Sequence, residues 1–291
     1  MAIRPRRSAL YMPGSNARAL EKAKTLAADV VIFDLEDAVA PEAKKLAREQ
    51  VMAAVAGGGY GTRELVVRIN GLETPWGRED LAQAAKAAPD AILVPKVSTP
   101  AQLVEVGQVL VSTPEKTRVW AMIETPLAIL NLREIAAAAE ERTTRLACFV
   151  LGTNDLVKET RAELDQNRTA ALYWLSAAVT AARAFGIDVL DGVYNAFRDL
   201  EGLRQECLQG RQLGMDGKTL IHPDQIALAN EIFSPTEQEV AWARKIIAAF
   251  ELPENQGKGA ITIDGRMVEL LHRQTAQRTV ELAEAIAARN S

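Results

Sequence analysis

Aromatic side chains make up only 5% of the 291 residues. A protein that grips single-stranded nucleic acid by stacking bases on ring faces needs more of them. There is no surplus of positive charge either. The formal net charge is −4, so no global basic field draws nucleic acid or an anionic membrane surface. Cysteine occurs twice, at Cys148 and Cys207, without CxxC spacing. That pattern reads as buried thiols rather than a disulfide framework or a metal pair. The two histidines, His222 and His272, stand far apart, which argues against zinc. No run of about 18 apolar residues exists to cross a membrane, and the basic start Met1–Arg7 is not followed by an apolar signal segment. These absences lead to the expectation of a cytoplasmic protein with small-molecule ligands, no nucleic acid and no membrane partner.

What is present is an alternation. Short apolar runs are separated by longer amphipathic stretches. Val30–Leu35 is β-branched and apolar on both faces, as a buried parallel strand requires. The other expected strands are Ser8–Met12, Leu65–Ile69, Ala91–Val94, Val119–Ile123, Ala147–Leu151, Ile187–Leu190 and Asp216–Ile221. Expected helices include Ala17–Ala27, Gly77–Ala87, Pro100–Leu110, Leu127–Ala139, Thr169–Phe185 and Leu200–Leu213. The Gly57-Gly58-Gly59 run lacks a strand–GxGxxG–helix setting and reads as a loop. Eight strand-plus-helix units in one chain favour an α/β fold closed as a TIM (β/α)8 barrel over an open sheet. Positions 1–233 form the expected barrel domain. Positions 234–291 form a helical and hairpin extension, with Asp264-Gly265 as the hairpin signal. The extension is surplus to a barrel and suits a lid or an oligomerisation arm.

Barrel active sites gather at the C-terminal strand ends. Polar groups follow nearly every apolar run here: Asp34, Glu36 and Asp37; Arg68 and Asn70; Lys96; Glu124; Thr153, Asn154 and Asp155; Asp191; His222. Singly, each reads as well as a helix cap or half of an ion pair. Together they make a cup of carboxylates with an arginine and an amide. Mg²⁺ takes oxygen ligands, often one or two carboxylates completed by water and substrate, and Glu124 and Asp155 on adjacent strand ends suit that. Asp34, Glu36 and Asp37 suit contacts to waters around the ion. An arginine beside Mg²⁺ suits a 2-oxo or 2-hydroxy acid, whose carboxylate a guanidinium can grip bidentately. A cationic group near the start, Arg4, Arg6, Arg7, Arg18, Lys22 and Lys24, offers either phosphate contacts or an ordinary solvated surface.

The ordered motifs also carry a resemblance. Leu10-Tyr11-Met12-Pro13-Gly14-Ser15, Val31-Ile32-Phe33-Asp34-Leu35-Glu36-Asp37, Val67-Arg68-Ile69-Asn70, Met122-Ile123-Glu124-Thr125-Pro126, Gly152-Thr153-Asn154-Asp155-Leu156 and Gly217-Lys218-Thr219-Leu220-Ile221-His222-Pro223 are similar to those of citrate lyase β-subunit-like and malyl-CoA lyase enzymes. These belong to the HpcH/HpaI aldolase superfamily. The resemblance implies a Mg²⁺ site at Glu124 and Asp155, and a short acyl-CoA with a 2-oxo acid as substrates. It implies Arg68 on the carboxylate, Arg18 and Lys22 near CoA phosphates, and Pro13, Gly14, Thr153, Asn154 and His222 as further binding positions. Catalytic roles would fall to Glu269, Arg68, Asp37 and Glu36. It also implies a homotrimer or homohexamer, with the C-terminal arm over a neighbour's site. Lyases of this kind usually carry Asp on that arm. Here Glu269 stands there, followed by Leu270-Leu271-His272 without proline. This variant resembles a subgroup that includes (3S)-malyl-CoA thioesterases. A reach changed by about 1 Å alters catalysis strongly. The leading expectation is C–C cleavage or formation in a malyl-CoA-like thioester. The alternatives are hydrolysis of that thioester to malate and CoA, and a non-catalytic subunit of a citrate-lyase-type complex.

Overall fold

The computed structural model describes residues 3–290. Met1, Ala2 and Ser291, at the ends of the two expected domains, lie outside the described residues. The chain divides into two compact units. One runs from Arg6 to Asn230; the other contains Glu231 onward with the first few residues.

The first unit is a closed barrel of eight parallel strands in sequence order. Strand β1 (Ser8–Pro13) precedes helix α1 (Ala17–Lys22). Next come β2 (Val30–Asp34) and α2 (Lys44–Gly57), β3 (Glu64–Arg68) and α3 (Gly77–Ala87), β4 (Ala91–Val94) and α4 (Pro100–Val109). Strand β5 (Arg118–Ile123) leads to α5 (Pro126–Leu130) and α6 (Leu132–Ala137), and β6 (Leu146–Leu151) to α7 (Thr153–Thr160) and α8 (Leu172–Ala184). The last units are β7 (Asp188–Asp191) with α9 (Leu200–Leu213), and β8 (Gly217–Leu220) with α10 (Ile226–Ile232). Closure is made by β8 pairing back on β1, Ser8 opposite Lys218.

Period-two alternation along the strands sorts the side chains. Ala9, Val30, Ile32, Val66, Ala91, Leu93, Trp120, Met122, Cys148, Val150 and Leu190 form one apolar cluster, with Tyr11 packed against it. Their strand neighbours Leu10, Val31, Phe33, Val67, Ile92, Ala121, Phe149 and Val189 are equally buried. This double burial is why the runs lack a polar face. Continued by two residues toward the C-terminal ends, the first set reaches Asp34, Arg68, Glu124 and Gly152.

The opposite end is closed by charge. Arg6 donates from Nε and Nη2 to Glu64 at 2.8 Å each and from Nη1 to Asp188 at 2.6 Å. Its guanidinium carbon lies 4.8 Å from the Trp120 ring centroid. Arg7 pairs with Asp29 at 2.8 Å. These two arginines therefore neutralise buried carboxylates at the N-terminal strand ends. They are not part of a phosphate-binding surface at the other end, which corrects that reading of the basic group.

Several helices differ from the sequence expectation: Ala17–Ala27 ends as a helix at Lys22 and continues as a 3₁₀ turn to Thr25. The segment read as Leu127–Ala139 is broken at Asn131, whose amide spans to the Ser98 carbonyl at 2.8 Å. Thr169–Phe185 opens as a 3₁₀ turn before α8. The short α7 is additional to the expected helices.

In the second unit, α11 (Glu237–Glu251) starts at a capping box between Thr236 and Glu239. Strands β9 (Ala260–Ile263) and β10 (Arg266–Glu269) pair antiparallel, and α12 (Leu270–Asn290) follows. Asp264 and Gly265 both have positive φ, 49° and 75°, the backbone a two-residue hairpin turn of this type requires. The unit's own core is Ala243, Ile246, Phe250, Ile261, Ile263, Val268 and Ala276. No helix among the described residues is long and apolar enough to cross a membrane.

Candidate active site

A cavity of about 310 Å³ opens among the C-terminal strand ends of the barrel. Its lining includes Tyr11, Asp34, Asp37, Arg68, Met122 and Glu124, together with Gly152, Thr153, Asn154, Asp155, Val193, Asn195, Thr219 and Ile221.

Its centre is an ion pair set by strand register. Asp34 and Arg68 are directly paired positions on β2 and β3. Arg68 donates from Nε to Oδ1 at 2.7 Å and from Nη2 to Oδ2 at 2.6 Å. The backbone N–H groups of Glu36 and Ala38 complete the carboxylate at 2.8 and 3.0 Å. Asp34 thus has all its lone-pair directions engaged within the protein. The Arg68 Nη1 group faces Glu36 at 3.0 Å and Asp37 at 3.1 Å. Its planar fork is spent on Asp34, and Nη1 donates to Asp37 and points to Met122 Sδ at 3.8 Å.

The loop carrying Glu36 and Asp37 is pinned from below. Buried Lys44 donates to the carbonyls of Leu35 at 2.8 Å and Glu36 at 2.7 Å. Asn70 donates to the Leu35 carbonyl at 2.9 Å and is held by Asp80 at 2.6 Å. Arg48 in turn fixes Asp80 at 2.6 Å.

Glu124 is buried at the end of β5. Its Oε1 accepts from the Lys96 backbone N–H at 2.7 Å. Lys96 holds a left-handed φ of 52°, which aims that N–H. A side chain at Gly152 would collide with Glu124, while one at Gly14 would come within 2.7 Å of the Asp34 carbonyl. Both glycines keep room for a carboxylate-bearing segment.

The carboxylates are under-compensated. Burial pushes Glu36 up to about 8 against the pull of Arg68, and Asp37, Glu124 and Asp34 add to the rise. Burial likewise pushes Glu124 up to about 7, opposed by the Lys96 N–H and reinforced by Asp155. Glu36 Oε2 is buried with no aligned hydrogen-bond partner, although Arg68 lies close. A cation among these groups would relieve the repulsion. Among the described residues no three His, Cys, Asp or Glu side chains are gathered tightly enough to enclose a metal. The donor set suits Mg²⁺, which keeps several waters and needs one or two carboxylates.

The expected residues are distributed as follows. Asp37, Arg68, Glu124, Thr153, Asn154 and Asp155 meet at the cavity. Glu36 is buried beside it. Pro13 ends β1, and Gly14 donates its N–H to the Asp34 carbonyl at 2.8 Å. Arg18 and Lys22 are exposed one turn apart on α1. His222 is outside the lining. Its Nδ1 accepts from Asp224 N at 3.2 Å, and its ring stacks on Phe197 at 4.7 Å. Glu269 belongs to the second unit, where its N–H donates to His272 Nδ1 at 2.9 Å. Tyr11, Met122, Val193, Asn195 and Thr219 were not among the expected site residues. Period-two counting back from Pro13 would have found Tyr11.

One further network supports the lining. Asp191, fully buried at the end of β7, accepts from Arg168 at 2.8 and 2.9 Å and from Lys218 at 3.0 Å. These two cations hold its carboxyl below the usual range against the opposing effect of burial. Lys218 also reaches Glu206 at 2.8 Å. The quartet anchors the strand end from which Val193 and Asn195 project.

Similarity to known proteins agrees with this geometry. Over 284 residues the chain is 51% identical to a (3S)-malyl-CoA thioesterase of Cereibacter sphaeroides, covering 98% of this chain and 96% of that one. It is 36% identical to an L-malyl-CoA/beta-methylmalyl-CoA lyase of the same species, over 98% and 96% of the two chains. Among solved structures, CitE of Mycobacterium tuberculosis in complex with magnesium, acetoacetate and coenzyme A superposes with a TM-score of 0.74 at 30% identity, covering 95% of this chain and 97% of that one. Residues 7–223 match the sequence profile of the HpcH/HpaI aldolase/citrate lyase family. The (β/α)8 barrel with its acidic, arginine-bearing mouth is a member of the HpcH/HpaI aldolase/citrate lyase family.

Proposed function

We propose that this chain hydrolyses the thioester of a (3S)-malyl-CoA-like substrate. The observation that carries the reading is the 51% identity to a (3S)-malyl-CoA thioesterase across nearly the whole chain, against 36% for the lyase. This reverses the order expected from the motifs, which placed C–C cleavage first. The shared motifs belong to both activities and do not separate them.

In this reading Glu124 and Asp155 hold Mg²⁺. The ion, when bound, acts as a Lewis acid toward an oxygen of the hydroxy-acid end. Arg68 meets the substrate carboxylate. Asp37 and Glu36 keep that guanidinium oriented. Arg18 and Lys22 meet the phosphates of CoA. Glu269 takes a proton from the attacking water. Oxygen adds to the thioester carbonyl carbon, the C–S bond breaks, and the thiolate leaves and is protonated. Water supplies every atom added. The protein works as a homo-oligomer whose C-terminal arm completes the site.

The test is a product assay. Pure protein with Mg²⁺ and (3S)-malyl-CoA should release malate and free CoA, and Glu124→Ala should abolish this. Glyoxylate with acetyl-CoA as the only products would return the lyase to first place. No turnover at all would leave the non-catalytic subunit as the better reading.

A further inference from the structure

We infer that the Tyr11 hydroxyl is a substrate-contacting hydrogen-bond donor of this site. The inference rests on the hydroxy-acid reading above and adds a residue to it.

Tyr11 follows Ala9 by two positions on β1, so both project into the barrel. Its ring packs on the inner apolar cluster. The Arg68 guanidinium carbon sits 4.7 Å from the ring centroid, a cation–π contact that fixes the ring plane. A phenylalanine would make all of these contacts equally well. The hydroxyl therefore adds nothing to the packing.

It also finds little to bond to. Its partner within the protein is Met122 Sδ at 4.0 Å, a weak acceptor at the limit of contact. No nearby carboxylate accepts from it: Asp34 takes four other donors, and Glu124 Oε1 takes the Lys96 N–H. Burial pushes the phenol's ionisation up, so it stays a donor. Tyr11 is half-buried, and its hydroxyl has no strong acceptor within the protein. It lines the cavity beside Arg68 and Glu124. An oxygen of a bound 2-hydroxy or 2-oxo acid is the acceptor that chemistry calls for. The hydroxyl then shares that oxygen-rich end with Arg68.

Tyr11→Phe tests this, since it removes one oxygen and keeps the ring. The variant should melt within about 2 °C of wild type. Its kcat/KM on (3S)-malyl-CoA should fall about 10- to 100-fold, the range for losing one aimed donor. With Mg²⁺ present, its calorimetric Kd for L-malate should rise about fivefold or more. Exposed Tyr173→Phe on α8 is the control and should change neither. Wild-type values for Tyr11→Phe in both measurements would overturn the inference. If the wild type does not turn over malyl-CoA, the functional reading fails on its own, and the malate titration still decides Tyr11. Equal Kd values, or no malate binding by the wild type, would overturn it.

Discussion

Arg68 and Asp34 meet side by side across adjacent strands, through a two-pronged bridge of 2.7 and 2.6 Å. Both are almost wholly buried. The pair spends the arginine's fork on Asp34, whose carboxylate also accepts the N–H groups of Glu36 and Ala38.

Breaking that pair should be costly. Asp34→Asn leaves a buried guanidinium without its counter-charge. A loss of about 3–5 kcal/mol is expected for removing one partner of a buried pair, read as a shift in denaturant midpoint at unchanged slope. A loss under about 1 kcal/mol would mean that Glu36 and Asp37 already compensate Arg68.

Glu36 makes the metal-free protein pH-sensitive. Its folded-state carboxyl is raised to about 8, above an unfolded value of about 4.3. The native state therefore holds the proton longer than the unfolded state does. The resulting stability is full below about pH 4 and is lost as pH rises through 8, with a slope of at most about 1.4 kcal/mol per pH unit. Glu36→Gln should flatten this fall between pH 5 and 8 in urea unfolding curves (order-of-magnitude window). An unchanged slope would place the titration elsewhere.

The Asp191 quartet gives a sharper structural test. Lys218→Met removes one of two cations from a fully buried carboxylate. Destabilisation of about 3–5 kcal/mol should follow. The double variant Lys218→Met with Glu206→Leu should recover part of it, because one unpaired charge is then gone. Additive losses in a double-mutant cycle would show that Lys218 and Glu206 are not coupled.

Gly152→Ala should act on the site more than on the fold. The new methyl group runs into Glu124, displacing a proposed metal ligand. The Mg²⁺ concentration for half-maximal activity should rise about 10- to 100-fold, as when a ligand's support is lost. Unchanged Mg²⁺ dependence would argue against Glu124 as a ligand.

Much of this architecture was legible in the chain. Runs such as Val30-Val31-Ile32-Phe33 are apolar at every position because a barrel strand is buried on both sides, and eight of them in alternation with helices lead to closure. The acidic and basic strand ends were legible too, since a polar residue directly after such a run has the barrel mouth to occupy. Other features were not. Arg6 and Arg7 look like Arg18 in sequence, yet they bind carboxylates at the far end of the strands. Tyr11 sits in an apolar run, and only the inward phase of β1 reveals its hydroxyl. Helix α7 hides because Thr153-Asn154-Asp155 is polar, as both a loop and a helix start can be.

The division has one physical cause. Apolar periodicity and turn residues act over a few positions, so the order of strands and helices and the chemistry offered at each strand end can be read from the chain alone. Pairing acts between residues far apart in the chain. Asp34 with Arg68, Lys96 with Glu124, and Asp191 with Lys218 are joined only by strand register and barrel closure. Tertiary contacts therefore settle which carboxylates are neutralised and which are left raised toward 8.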